Sequence, residues 1–429
     1  MATPPVSRRA LVGSLAATAA LAGAGGVLIG RTTGDEPEPP PAESGTVPFH
    51  GTRQPGIDTP QQKHALFAAF DLLIADPRTG ERLTPEALGK MTDELLADWS
   101  AVIAALMAGR KPPPLKGTTP EQFPDDLTAE GLPTAKLTVT VGVGPWVFQV
   151  TGRQDRRPRR LAELPSFPGD QLNPAWSGGD FLLQICADDP QVVSGAFLAL
   201  RARVMGTCQL RWTQHGFLSK PADGGTSRNL LGFKDGTANP KPGDAAFDAA
   251  VWATKDEPDW FAGGSYLVFR KIRMRLPEWS LATAAEQEGS IGRKRDSGAP
   301  LTGTAEFDEP DLAAAAPAGG PVIPLDAHVR LVKGIPMFRR GYNYDYGFLT
   351  QGTLGTDDHA VGTDGHNHDK NPYDAGLLFT AYVADPKSFI DAQNRMSASD
   401  RLRDFLVNLG GAIFAVPPGA PEGGALTIG

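Results

Sequence analysis

Three short stretches in the second half of the chain hold side chains able to move protons, meet anions or ligate a metal. In residues 232–240, GFKDGTANP, the carboxylate of Asp235 lies between Gly232 and Gly236, next to Thr237. On composition alone this is a turn in a surface loop, because Asp-Gly and Asn-Pro both favour turns. The same carboxylate becomes a general base where it faces a pocket. In residues 326–331, DAHVRL, His328 stands among apolar neighbours. Such a histidine is more often a satisfied core residue than a ligand, yet neutral imidazole is also the commonest metal ligand, and spacing does not separate the two. In residues 337–347, MFRRGYNYDYG, Arg339 and Arg340 precede Tyr342, Tyr344 and Tyr346. Paired arginines commonly make surface salt bridges; a functional reading needs one guanidinium turned inward to meet an anion.

Two further groups are weaker. Residues 359–371, HAVGTDGHNHDKN, carry His359, His366 and His368 among acids and amides, but the spacing fits no defined metal site and reads as an exposed polar loop. Cys186 and Cys208 are the only cysteines. They exclude a disulfide framework or a four-cysteine metal site, leaving either one disulfide or two buried thiols.

The elements that must position these residues alternate between two periods. Residues 66–74 and 137–143 alternate as strands do, the first buried and the second half-buried, and residues 265–276 form a third strongly alternating run. Thr84 and Pro85 make a cap and first-turn pair ahead of Leu88, Met91, Leu95, Trp99, Val102 and Leu106, which recur at helical spacing. FLLQICADDP (181–190) and LLFTAYVADP (377–386) share one plan, an apolar run ending in Asp-Pro that opens a helix, with Asp189 and Asp385 as caps. One such unit is unremarkable, but two in corresponding places point to an internal duplication. The reading is an α+β chain of two similar halves, 56–228 and 229–429.

Ahead of them, SRRALVG (7–13) and the apolar run 15–29 look like a twin-arginine export signal over residues 1–34, followed by a Pro-rich tether over 35–55. A retained leader would act as a membrane anchor. Export by the twin-arginine machinery places the protein outside the cell, in the periplasm or at the cell surface. The chain of 429 residues has a net charge of −8, which speaks against nucleic acid as a partner. Nothing in the sequence states the oligomeric state.

Together the three stretches resemble the dye-decolorising peroxidase family. GxxDG at 232–236, H-x-R at 328–330 and RRGY at 339–342 follow that family's order. Residues 286–303 (EQEGSIGRKRDSGAPLTG), with EFDEPD after them, look like its connecting segment, and FAVPPG at 414–419 like its C-terminal end. The stretch RLVKGIPMF between histidine and arginine is shorter than the family's usual loop and lacks its Asn-Pro pair.

The resemblance implies two ferredoxin-like halves, each an antiparallel sheet with helices packed on it, and one haem b in the C-terminal half. It makes His328 the axial ligand of the haem iron, and Asp235 and Arg339, the first of its pair, the groups that act on hydrogen peroxide. Arg330, Gly236 and Thr237 join them in holding the cofactor, with Arg330 meeting a haem propionate. Asp400 or Asp404 is the expected acceptor for the second ring nitrogen of His328. Bulky aromatic reductants would be oxidised at the surface, with Tyr342, Tyr344, Tyr346, Trp260 and Trp279 as relays. Because an ordinary aspartate titrates near ~3.9, a carboxylate base keeps working in acid, so an acidic optimum is expected. Iron release from haem of the deferrochelatase kind, or non-catalytic haem binding, are the alternatives.

Overall fold

The structure is a computed structural model that describes residues 45–115, 128–348 and 373–429. The leader, residues 35–44 of the tether and the histidine-rich run 359–371 lie outside the described residues.

In the first half the alternating apolar runs become strands and the 3.6-period run becomes a helix. Its elements are β1 (His64–Leu72), α1 (Pro85–Met107), β2 (Thr138–Val143), α2 (Pro145–Val150), β3 (Phe181–Ala187), α3 (Pro190–Ala202) and β4 (Cys208–Phe217). The Thr84 hydroxyl accepts from the Ala87 N–H at 3.2 Å and Pro85 takes the first helical turn of α1. Asp189 caps α3 through the N–H groups of Gln191 and Val192.

The second half contains α4 (Ala245–Val251), β5 (Ser265–Met274), α5 (Leu276–Leu281), α6 (Ala284–Ile291), α7 (His328–Val332), β6 (Phe338–Arg339), β7 (Tyr342–Phe348), β8 (Tyr373–Val383), α8 (Lys387–Ser399) and β9 (Leu406–Val416). At its start α8 differs from α3. Asp385 accepts from the Lys387 N–H, but its other oxygen meets Arg160 at 3.1 Å and the helix begins one residue later than the Asp-Pro pair suggests.

Strand order reveals the duplication. The first half pairs as β2-β3-β1-β4 and the second as β7-β8-β5-β9. Counting β6 and β7 as one interrupted strand, both halves read 2-3-1-4, and the pairings are antiparallel. These are two ferredoxin-like halves. Their edges meet through single residue pairs, Val143 with Ala415 and Phe217 with Asn343, so the eight strands close into a ring.

Between the sheets lies one apolar core in which Phe67 meets Phe269 at 5.3 Å and Trp212 stacks on Phe269 at 4.8 Å. The helices α1 and α3 cover the outer face of the first sheet. With both faces covered, β2 is buried at all positions, not half-buried as its alternation suggests.

The tether also needs correction. From Gly45 on, the chain belongs to the folded body. Phe49 and Gln54 are buried; Gln54 donates to the carbonyls of Val141 and Pro417 at 3.0 Å and accepts from the Val141 N–H at 2.8 Å. A Pro-rich composition does not show these pairings, because they are made with residues far away in sequence.

Cys186 and Cys208 are free and buried, opposite Ala65 and Leu72 toward the two ends of β1. Burial pushes both thiols up.

Candidate active site

Residues 226–237 form a small hairpin. Arg228 bridges Lys234, the Asn229 N–H donates to Phe233 O at 3.0 Å, and the Asp235 N–H reaches Ser227 O at 2.9 Å. Gly236, with φ of 111°, turns the chain away directly after Asp235, in a region that favours glycine. The Asp235 carboxylate is left facing a cleft of about 290 Å³ that is also lined by Asn229, Gly236, Asn239, Arg339 and Leu377.

Across that cleft Arg339 brings Nη1 to 3.7 Å from Asp235 Oδ1. Its position follows from strand geometry. Arg339 ends β6 opposite Ala381, and adjacent residues in extended chain point to opposite faces. Arg340 therefore turns inward, 1 % exposed, and donates to Thr59 O at 2.6 Å and Gln62 Oε1 at 2.7 Å. Asn239 fixes Arg339: its amide donates to Arg339 O at 2.7 Å, and its oxygen accepts from Arg339 N and Nε at 3.2 and 3.3 Å. Asn239 stands in a stretch that reads as a turn in the sequence, and only its Asn-Pro pairing hinted at a special role.

His328 opens α7. Its Nδ1 lies 2.7 Å from Asp400 Oδ2 and its side chain is 28 % exposed, against 4 % for Asp400. A carboxylate accepts, so Nδ1 carries the hydrogen and Nε2 is left as a ligand nitrogen. The other Asp400 oxygen caps the next turn through the Leu402 N–H at 2.9 Å, and Arg401 beside it forks onto Asp326 through Nη2 at 2.9 Å and Nε at 3.2 Å. Asp400 is thus the acceptor that the sequence left open, and Asp404 is exposed. Gly292, φ 89°, lets the end of α6 lie against α7, since a Cβ there would stand 2.4 Å from Val329.

Two expected cofactor contacts are arranged differently. Arg330 Nη2 donates to Leu312 O and Ile323 O, both at 2.8 Å, and Nε donates to Pro324 O at 3.1 Å. Arg330 thus braces the segment before α7 through Nε and Nη2, which leaves Nη1 as the nitrogen that could meet a propionate. The Thr237 hydroxyl points away from the cleft to Glu306, at 2.9 Å.

A haem also needs apolar walls. Leu231, Phe233, Met274, Trp279 and Leu402 form a separate apolar cluster with Ile291, Leu377, Phe405 and others against it. Leu377 lines the Asp235 cleft and Leu402 bonds Asp400, so the cluster joins the two polar sites. An imidazole with a free Nε2, apolar side chains and a carboxylate–guanidinium pair fit a haem.

Of the aromatic residues, Tyr346 is 43 % exposed and its ring is 5.2 Å from that of buried Tyr344. Tyr344 donates to Asp374 at 3.0 Å. Tyr342 is wholly buried, Trp279 packs on Phe405 at 4.9 Å, and Trp260 stacks on Phe148 in the first half.

Comparison with known proteins agrees with this arrangement. The family models for Dyp-type peroxidase match both halves, the N-terminal one over residues 54–218 and the C-terminal one over 226–421. A dye-decolorizing peroxidase of Thermobifida fusca is 36 % identical over 441 residues, covering 96 % of this chain and 94 % of the relative. A deferrochelatase of Yersinia pestis is 35 % identical over 393 residues, covering 87 % and 82 %. The structure of ferric DtpA from Streptomyces lividans superposes with a TM-score of 0.75 at 35 % identity, covering 89 % of this chain and 95 % of that one. With both halves matched and both polar sites in place, the chain belongs to the Dyp-type peroxidase family and is a haem-dependent peroxidase.

Proposed function

We propose that the protein holds haem b through His328, that Asp235 and Arg339 process hydrogen peroxide, and that bulky aromatic reductants supply the electrons. The observation that carries this is the pairing of Asp235 with Arg339 across one cleft, while the neighbouring Arg340 is buried and bonds Thr59 O and Gln62 Oε1 instead. When bound, the haem supplies the redox-active iron. Asp235 takes the proton from one oxygen of hydrogen peroxide and returns it to the other as the O–O bond breaks. Arg339, pre-set by Asn239, stabilises the negative charge that grows on the departing oxygen. Asp400 fixes the His328 ring and increases its donor strength. Half-exposed Tyr346, beside Tyr344, offers an oxidation point to reductants too large for the cleft. The Arg8-Arg9 leader supports export by the twin-arginine machinery to the cell surface, periplasm or medium.

The test records the absorption spectrum of wild type and His328→Ala, then follows peroxide-dependent dye oxidation by wild type and Asp235→Asn from acid to neutral pH. Loss of the Soret band in the first variant and of turnover in the second is expected, with wild-type activity greatest in acid. A Soret band unchanged in His328→Ala would remove it as the ligand, and undiminished turnover in Asp235→Asn would remove Asp235 as the proton carrier. The deferrochelatase relatives give iron release from haem a reason to be assayed beside dye oxidation. Iron released under reducing conditions without peroxide turnover would favour that activity.

A further inference from the structure

Asp235 has little direct hold on its own side chain. Its nearest polar contacts are Asn229 Nδ2 at 3.5 Å and Arg339 Nη1 at 3.7 Å, both long. Its place is therefore set by the backbone on either side, and that backbone is tied to one residue of the connecting segment. Glu306 Oε2 accepts from Lys234 Nζ at 2.5 Å; Oε1 accepts from the hydroxyls of Thr226 at 2.5 Å and Thr237 at 2.9 Å. Lys234 directly precedes Asp235, Thr237 follows it by two, and Thr226 opens the same hairpin. One carboxylate thus closes the base of the hairpin and grips both flanks of Asp235.

Glu306 is itself held. Its carbonyl accepts from Arg293 Nη1 at 2.8 Å, and its side chain is 10 % exposed. The turn at Gly298 lies directly on the pair, since a Cβ there would be 2.8 Å from Lys234 Cδ and 3.3 Å from Glu306 Cγ. Burial alone would push the Glu306 carboxyl up, but Lys234 and the two hydroxyls outweigh it and hold the group below its usual range, as an anion.

We infer that Glu306 is a positioning residue for Asp235: its carboxylate, through Lys234, Thr226 and Thr237, sets where the proton-carrying group stands against Arg339. This rests on the proposed role of Asp235. Because Glu306 does not line the cleft, it acts on the reaction only through the hairpin. A misplacement on the order of 1 Å in such a group slows a reaction by up to about 100-fold.

The experiment uses the haem-loaded protein and two readouts, the rate at which hydrogen peroxide changes the Soret band and hydrogen exchange of the 226–239 peptide. Glu306→Gln should slow the peroxide reaction by about 10- to 100-fold and speed exchange in 226–239, while exchange in 326–332 stays as in wild type. In an Asp235→Asn background the same change should slow the reaction no further, as expected of residues acting through one group. If Asp235→Asn is slow but Glu306→Gln stays within about twofold of wild type, or if the two losses multiply, the inference is overturned while the role of Asp235 stands. A wild-type rate in Asp235→Asn itself overturns both. Should Glu306→Gln fail to fold, Thr237→Val and Lys234→Met address the same contacts from the loop side; wild-type rate and exchange in both would also overturn the inference.

Discussion

Arg339 and Arg340 share one chemistry and differ in what surrounds them. Arg340 is buried with its guanidinium on Thr59 O and Gln62 Oε1, tying the start of the second half's interrupted strand to the segment ahead of β1. Its removal leaves buried acceptors without donors, so Arg340→Ala should lower stability by on the order of 3 kcal/mol, read from the denaturant midpoint. Arg339→Ala should leave that midpoint nearly unchanged and slow the peroxide reaction by about 10²- to 10³-fold, the usual loss when a charge-stabilising donor is removed. The reverse pattern would exchange the two roles. Sequence order offered no physical reason for choosing between them; strand alternation does. The same limit applies to Arg330 and Thr237, whose types suit a cofactor but whose partners, Leu312 O, Ile323 O and Glu306, lie in loops that only the folded chain brings near. His328 and Asp235 were legible because a whole ordered set of motifs, and not one residue, carried them.

At the scale of elements, strands and caps were readable where one local period or one local hydrogen bond decides them. The caps at Thr84 and Asp189 are of this kind. Asp385 is not, because Arg160 from the first half draws one of its oxygens away. Burial was less readable, since β2 and β3 have both faces covered by elements remote in sequence. Asp180, just before β3, shows what such covering does to a charge. It accepts from the Leu72 N–H at 2.8 Å, and burial, only partly offset by that bond, pushes its carboxyl up from 3.8 to about 6. The folded state therefore holds the proton more tightly than the unfolded chain. The stabilisation is complete below about pH 4, fades as pH rises through about 6, and is absent at neutral pH. Asp180→Asn keeps an oxygen for Leu72 and carries no charge. It should raise stability at pH 7 by on the order of 2 kcal/mol relative to wild type and flatten the fall between pH 4 and 6. Denaturant titrations of both proteins across that range give the answer, and parallel curves would show that Asp180 titrates normally.

Across the whole molecule, the duplication explains why the chemistry lies in one half while both halves are needed. Among the described residues, the two sheets pair edge to edge through Val143 with Ala415 and Phe217 with Asn343. Their shared core and side-chain bonds such as Arg340 to Gln62 and Arg160 to Asp385 also fasten them, as does the strap formed by residues 45–57, which a composition rich in proline disguises as a linker. Within the strap, Gln54 bonds β2 and the chain beyond β9 at once, Gly51 N–H reaches Ala420 O at 2.9 Å, and Phe49 is buried. A chain begun at Gly45 should fold, bind haem and turn over peroxide, but remain inside the cell for want of the Arg8-Arg9 leader. A chain begun at Asp58 should lose at least about 3 kcal/mol, because it uncovers apolar surface and leaves the buried Val141 and Pro417 groups without partners. Fractionated cells and denaturant midpoints of the two truncated proteins measure both effects. Equal midpoints would make the strap a passive passenger, and export of the Gly45 chain would remove the leader's assigned role. A lower midpoint in the Asp58 chain alone would show that the first folded residues join the two halves into one stable body.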